Sequence, residues 1–141
     1  MGRYLNIGFG KMADDIRDDF YVDKSMLISV LNKRLESRSR FICVSRPRRF
    51  GKTMAANMIA AYYSKGCDSH EIFSNQKISK DSSFERNINK YNVIKLDING
   101  AATKKGKMTI IQYYDKKVVS ELMKEYPDVE ISEDISLPEA L

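Results

Sequence analysis

The segment of residues 41–65 constrains the fold more than any other, because it joins three patterns in a fixed order. Residues 41–44, Phe-Ile-Cys-Val, form a short unbroken apolar run, which is typical of a strand buried on both faces of a parallel sheet. A basic loop follows at residues 45–51, and residues 53–65 then predict a helix with a broad apolar face. Strand, loop and helix in this order predict the start of an α/β fold.

Further elements extend this prediction. Residues 93–98, Val-Ile-Lys-Leu-Asp-Ile, alternate in polarity and predict a second strand, whereas residues 23–36 and 106–125 predict helices. Two strands are fewer than the roughly five or six of an average sheet. The sequence therefore predicts an incomplete parallel sheet flanked by helices, with an open edge that a protein partner could cover.

The acidic residues concentrate at the carboxyl end. Residues 121–141 hold seven acids and one lysine. We interpret residues 1–127 as one domain and residues 128–141 as an acidic tail that is poorly ordered on its own.

The composition excludes several classes of protein. The 141 residues are 43 % hydrophobic and 30 % charged, which is typical of a globular domain. No window approaches the roughly 18 apolar residues of a membrane span, and the first residues lack a signal-peptide pattern. Two cysteines and one histidine are too few for a disulfide framework or a zinc cluster. A cytoplasmic location without membrane contact is therefore expected.

Basic residues concentrate around the loop, although the whole chain carries a net charge of only +5. Residues 38–56 contain no acid and hold six cations, which are Arg38, Arg40, Arg46, Arg48, Arg49 and Lys52. Such a block indicates an anionic partner, either a nucleotide phosphate or nucleic acid. A solvated basic loop without a ligand is the alternative.

The end of the loop matches a phosphate-binding pattern. In the P-loop pattern G-x-x-x-x-G-K-[ST], Gly51 allows close approach of the backbone, Lys52 pairs with the β- and γ-phosphates, and Thr53 places its hydroxyl on Mg²⁺. Arg46 stands where the first glycine is expected, and Pro47 favours an extended backbone at Arg46, so the first turn must differ from the common one. Alternatively, Gly51 only makes the turn and Thr53 only caps the helix.

The predicted ligands are ATP and Mg²⁺. The predicted nucleotide-binding residues are Arg46, Pro47, Arg48, Arg49, Phe50, Gly51, Lys52, Thr53 and Met54. Thr53 is also the predicted metal ligand, and no catalytic residue is predicted.

Three motifs in order resemble the bacterial AAA-ATPase-like family. They are Tyr-Val-Asp-Lys-Ser at residues 21–25, Ser-Arg-Pro-Arg-Arg-Phe-Gly-Lys-Thr at residues 45–53 and Asn-Val-Ile-Lys-Leu-Asp at residues 92–97. The resemblance covers about residues 1–125 and implies a P-loop ATPase fold. In this family the phosphate loop has its own form, and an arginine at the position of Arg46 is part of it. In this family a nuclease-like domain of the PD-(D/E)XK type commonly follows.

The sequence departs from the family's pattern after the helix of residues 107–125. An apolar strand ending in Asp-Glu, the Walker B motif, is expected there and is not found, and the nuclease domain is also missing. Asp97 ends a strand but has no following Glu, so it is either a metal ligand or a turn residue. The resemblance therefore implies an amino-terminal fragment with weak or absent hydrolysis, and its status as an enzyme stays open.

Other interpretations remain open at this stage. The chain is alternatively a nucleic-acid-binding module, with the Arg-rich loop on phosphates and tyrosine pairs at residues 62–63 and 113–114 on bases, or a non-functional truncation. Asp23 and Lys24 either contribute to the outer wall of a nucleotide pocket, or Asp23 caps the helix that follows it.

Overall fold

The computed structural model of the chain describes residues 2–35, 37–104, 106–132 and 135–140. The regular secondary structure of these residues is helical. The helices are α1 (Gly10–Ile16), α2 (Met26–Asn32), α3 (Lys52–Tyr63), α4 (His70–Ser74), a 3₁₀ helix (Lys77–Lys80), α5 (Phe84–Asn87), α6 (Ile98–Lys104), α7 (Ile110–Glu125) and α8 (Leu137–Ala140).

The predicted α/β fold, a P-loop NTPase-like domain with an incomplete parallel sheet, is wrong. Across the described residues the chain forms helices and two isolated β-bridges, and it forms no strand or sheet. Leu5 pairs with Ile94 in antiparallel fashion, and Ser64 pairs with Tyr91 in parallel fashion. The open sheet edge at which a protein partner was expected is therefore not part of the described structure.

The first predicted strand fails because its apolar residues find no neighbour. All of residues 41–44 are exposed, with Phe41 85 % and Val44 47 % accessible to solvent. No described segment forms backbone hydrogen bonds with them. Because a strand is held by hydrogen bonds to another segment, an apolar run of four residues cannot become a strand by itself.

The second predicted strand pairs only briefly. Residues 93–95 run beside the amino-terminal segment, where Asn6 N–H donates to the Val93 carbonyl at 2.8 Å. Asn6 has a left-handed backbone with φ of 47°, and its side-chain oxygen accepts the Val93 N–H at 2.8 Å. This side-chain bond takes the place of a ladder bond, and at Ile98 the chain has already entered α6.

The two longest helices are confirmed close to their predicted positions. α3 spans Lys52–Tyr63, and its carboxyl half is buried, including Tyr62 and Tyr63. α7 spans Ile110–Glu125, and its apolar residues at helical spacing are Ile111, Tyr114, Val118 and Leu122. Three of these four residues, Tyr114, Val118 and Leu122, are buried. Ile111, the fourth, is 74 % exposed.

Two apolar clusters form the core. The first packs α1 to α5 around the carboxyl half of α3, and its most buried side chains include Tyr62, Phe73 and Ile78. The second joins α6 and α7 to the amino-terminal segment through Leu5. All four tyrosines at residues 62–63 and 113–114 are at least 94 % buried, so they are core residues and not a surface for nucleic acid.

The described part of the acidic tail contacts α7. Leu137 opens α8 and donates its N–H to the Asp115 carboxylate at 3.0 Å, and Leu137 also packs against the second cluster. Among the described residues no helix has the length and apolar character needed to cross a membrane.

Candidate functional site

The amino end of α3 is left open by the residues around it. Gly51 occupies the N-cap position with φ of 73°, a left-handed conformation that glycine adopts without strain. No side chain caps this end, and the first turn contains no acidic residue. Because the first N–H groups of a helix lack partners within the helix and carry its positive dipole end, this end attracts an anion.

Lys52 folds back over the loop that precedes it. Its ammonium donates to the carbonyl oxygens of Arg46, at 2.5 Å, and Pro47, at 3.0 Å. A lysine ammonium has three protons to donate, so these two bonds leave one free. Lys52 thereby fixes the shape of the loop while its charge stays exposed.

The arginines of the loop carry unpaired charge. Arg46, Arg48 and Arg49 are exposed, and the described residues provide no carboxylate partner for their guanidinium groups. Arg49, rather than Arg46, has the left-handed backbone, with φ of 66°. A conformation of this kind is unfavourable for a side chain of this size, so backbone strain is concentrated just before Gly51.

Lys24 links the Tyr-Val-Asp-Lys-Ser segment to the loop. Its ammonium donates to the Phe50 carbonyl at 3.3 Å and lies 3.1 Å from the point where a Cβ on Gly51 would stand. A side chain at position 51 would therefore displace Lys24 in addition to straining the backbone. The hypothesis that Lys24 belongs to the wall of the site agrees with this contact.

Asp23 faces a different part of the chain. Its carboxylate accepts the N–H of Ser25 at 2.7 Å and of Lys77 at 2.8 Å, and it makes no capping bond to α2. Burial raises the pKa of Asp23, but the hydrogen bonds from Ser25 and Lys77 lower it more, so the pKa lies below its ordinary value. Asp23 thus ties the start of α2 to the 3₁₀ helix.

A cavity of about 760 Å³ lies beside the outer face of the first turn of α3. Lys52 and Thr53 line it from the first turn of α3, and Arg3, Lys11 and Lys95 add cations from the amino-terminal segment, α1 and the segment before α6. Sequence reasoning missed Lys11 and Lys95, because only the folded chain brings these separate segments together.

Lys95 is held in a short polar chain. Its ammonium donates to the side-chain oxygen of Asn57, whose amide group donates to the Asp15 carboxylate at 2.9 Å. Burial lowers the pKa of Lys95 and the charge of Lys11 lowers it further, whereas Asp15 and Asp97 oppose that change.

Asp97 lines the same cavity, but its carboxylate is bonded to a backbone N–H group. Its carboxylate accepts the Gly100 N–H at 3.2 Å, and its carbonyl accepts the Tyr114 hydroxyl at 2.5 Å. Among the described residues no three His, Cys, Asp or Glu side chains gather as metal ligands. The assignment of Thr53 to Mg²⁺ therefore stays a prediction.

A second cavity, of about 270 Å³, lies on the other face of α3. Gly51, Met54 and Met58 line it from the loop and the helix, together with Phe20 from the segment between α1 and α2. Of the predicted site residues, Lys52 and Thr53 line the larger cavity, and Arg49, Phe50, Gly51 and Met54 line the smaller one. Arg46, Pro47 and Arg48 line neither cavity.

These features define a helical domain whose basic loop, ending in glycine, leaves the amino end of a helix open. Residues 7–138 match the protein family described as "Predicted AAA-ATPase". Because the match covers most of the chain, the protein belongs to this family. No curated protein and no solved structure matches the chain. The predicted family is confirmed, while the nuclease fusion and the fragment interpretation stay predictions.

Proposed function

We propose that the chain binds a nucleoside triphosphate, with ATP as the expected ligand, through the loop of residues 46–54. The observation that carries this proposal is the open amino end of α3, which is surrounded by cations that have no carboxylate partner among the described residues. The N–H groups of a helix amino end and its positive dipole form a site for phosphate. Membership of the family adds support.

In this proposal the loop residues have distinct roles. Gly51 admits a phosphate close to the backbone, and the first-turn N–H groups of α3 donate to it. Lys52 donates its remaining proton to a terminal phosphate, or exchanges its bond to the Pro47 carbonyl for one to phosphate. The Thr53 hydroxyl would hold Mg²⁺, and the ion would supply positive charge against the phosphates.

The larger cavity supports the same ligand. Lys11 and Lys95 face the space beside Lys52 and Thr53, so a phosphate chain leaving the loop meets further positive charge. A volume of about 760 Å³ lies within the range of about 300–1,000 Å³ that is usual for small-molecule sites.

Equilibrium binding of a fluorescent ATP analogue with Mg²⁺ tests the proposal. We expect Lys52→Ala to weaken binding at least about tenfold, because a hydrogen bond to a charged group contributes about 1.5–3 kcal/mol. Lys65→Ala is the matched control, since it removes one exposed lysine just after the opposite end of the same helix. Equal affinities of the wild type and Lys52→Ala would overturn the proposal.

Slow turnover is part of the same proposal. Among the described residues that line the larger cavity, the one carboxylate is that of Asp97, and it accepts the Gly100 N–H, so no acid there is free to position an attacking water. We expect phosphate release from Mg·ATP by the 141-residue chain to stay below about 1 s⁻¹, the lower end of ordinary enzymes. A faster rate that Lys52→Ala abolishes would contradict this part.

A second candidate function is binding of single-stranded nucleic acid. It is favoured by the stretch of residues 38–50, all of which are exposed, and by the Arg40 guanidinium, which lies 5.3 Å from the centre of the exposed Phe41 ring. Arginine and aromatic rings together suit phosphates and bases.

Salt separates the two candidates. An affinity that depends on several phosphate contacts falls steeply between 50 and 200 mM salt. A labelled oligonucleotide that binds with this dependence and is not displaced by Mg·ATP would support the second candidate, whereas displacement by Mg·ATP would support the first.

A further inference from the structure

We propose that the 270 Å³ cavity beside Met54 and Met58 of α3 receives the base of the bound nucleotide, stacked against Phe20. This inference rests on the proposed function, because it names the part of the same ligand that extends away from the phosphates. It assigns a role to a cavity that the proposed phosphate contacts do not fill and to the exposed ring of Phe20.

The geometry of α3 connects this cavity to the loop. Gly51, Met54, Ala55 and Met58 recur at helical spacing and line the cavity from one face of α3. Lys52 and Thr53 line the larger cavity from the adjoining face. A ligand anchored at Gly51 and Lys52 therefore has both cavities within its reach, one lined by Lys11 and Lys95 and the other by Met12 and Met58.

The walls of the smaller cavity have the chemistry that a base requires. Met12 and Met58 are buried and form an apolar floor, and Phe20 and Val22 line the edge with 91 % and 64 % of their surfaces exposed. Bases stack on aromatic side chains whatever their sequence, because every base has a π-face. An exposed ring beside an apolar cavity is therefore suited to a flat aromatic ligand.

The position of Phe20 is fixed although its ring is free. The Phe20 N–H donates to the Asp18 carboxylate at 2.9 Å, which holds the turn that carries the ring. The neighbouring Tyr21 is engaged elsewhere, because its hydroxyl donates to the Gln76 side chain at 3.0 Å. Phe20 is thus the aromatic residue of this segment that remains available for stacking.

Polar groups at the entrance set the orientation of the ligand. Lys24 and Arg49 both line the cavity, and the Lys24 ammonium already reaches the loop at the Phe50 carbonyl. Lysine and arginine donate hydrogen bonds, so they complement the ring nitrogens of adenine, which accept them. The cavity volume, slightly below that of sites for complete drug-sized ligands, suits a single ring system.

Calorimetric titration with two probes, Mg·ATP and inorganic tripolyphosphate, tests the inference, because tripolyphosphate has the phosphates without the base. We expect Phe20→Ala to weaken Mg·ATP binding about tenfold and to leave tripolyphosphate binding unchanged. Since Phe20 is 91 % exposed, its removal should not disturb the fold, and an unchanged melting temperature checks this. Ala55→Leu, which fills the cavity from its wall, should have the same selective effect.

Two further variants separate the possible outcomes. Phe41→Ala removes another exposed ring, 85 % accessible and outside the cavity, and should bind both probes like the wild type. If Lys52→Ala weakens both probes while Phe20→Ala binds Mg·ATP normally, the inference is wrong and the proposed function survives. If the wild type binds neither probe, or Lys52→Ala binds both normally, the proposed function fails and the inference with it.

Discussion

The amino ends of α3 and α7 differ in how their first backbone N–H groups find hydrogen-bond partners. At α7 the Thr109 side chain accepts the Gln112 N–H at 3.2 Å, and the Gln112 side chain accepts the Thr109 N–H at 3.0 Å. At α3 Gly51 provides no such cap. The residues at the start of α7 satisfy its first turn themselves, whereas α3 leaves its first N–H groups without a side-chain cap.

The largest effect is expected in the core that α7 builds. Leu122 is 5 % exposed and belongs to the second apolar cluster, so Leu122→Ala should lower the free energy of unfolding by about 2–5 kcal/mol. Ile111→Ala on the same helix should change it by less than about 0.5 kcal/mol, because Ile111 is 74 % exposed. Urea unfolding followed by circular dichroism measures both, and similar losses would show that α7 is not anchored as described.

The next largest loss of stability is expected from a side chain placed at the open amino end of α3. Gly51→Ala places a side chain at φ of 73° and should lower the free energy of unfolding by about 1–3 kcal/mol. Gly66→Ala is the matched control, since Gly66 has φ of 80° and open space around it. Both variants should lose stability, but only Gly51→Ala should also lose ATP-analogue binding. Normal binding by Gly51→Ala would remove Gly51 from the site.

A smaller effect is expected from breaking the cap of α7. Thr109→Ala should lower the free energy of unfolding by about 1 kcal/mol, because it leaves the Gln112 N–H without its partner. Thr109→Ser keeps the hydroxyl and should stay close to the wild type. Neither variant should change ATP-analogue binding. A binding defect in Thr109→Ala that Thr109→Ser lacks would mean that the two helix ends are coupled.

The smallest effect depends on pH. Hydrogen bonds from the Ser29 hydroxyl, at 2.5 Å, and from Ser83 lower the pKa of Asp81 to about 2. Its contribution to stability is therefore complete above the unfolded-state pKa of about 3.9 and is lost as the pH falls through about 2. The difference in melting temperature between the wild type and Asp81→Asn should be constant from pH 5 to 7 and shrink below pH 4. A difference that does not change with pH would exclude this role of the charge.

The sequence allowed the helices and the family to be predicted better than the sheet. α3 and α7 follow from apolar spacing, and the Arg-Pro-Arg-Arg-Phe-Gly-Lys-Thr loop led to the family that the match over residues 7–138 confirms. The run at residues 41–44 misled the prediction, because four apolar residues are equally compatible with a buried strand and with an exposed connection. Its pattern contains no information on whether a neighbouring segment is present.

The candidate site was likewise predicted only in part from the sequence. The loop of residues 46–54 could be identified by inspection, whereas its surroundings could not. Lys95 lies in the motif of residues 92–97, but the motif does not indicate that its side chain adjoins the loop, and Phe20 lies in no motif. Both adjoin the cavities beside the loop only because their segments pack near α3. The positive φ also falls at Arg49 and not at Arg46, the residue that stands where the P-loop pattern has its first glycine.

By itself the sequence determined where the long helices form, which residues the loop presents and to which family the chain belongs. Helical hydrogen bonds join residues four positions apart, so nearby side chains are sufficient to specify them. The tertiary structure decided that residues 41–44 stay exposed, that Lys24 reaches the loop, and that two cavities flank α3. These outcomes depend on contacts between distant segments, and no local pattern encodes such contacts.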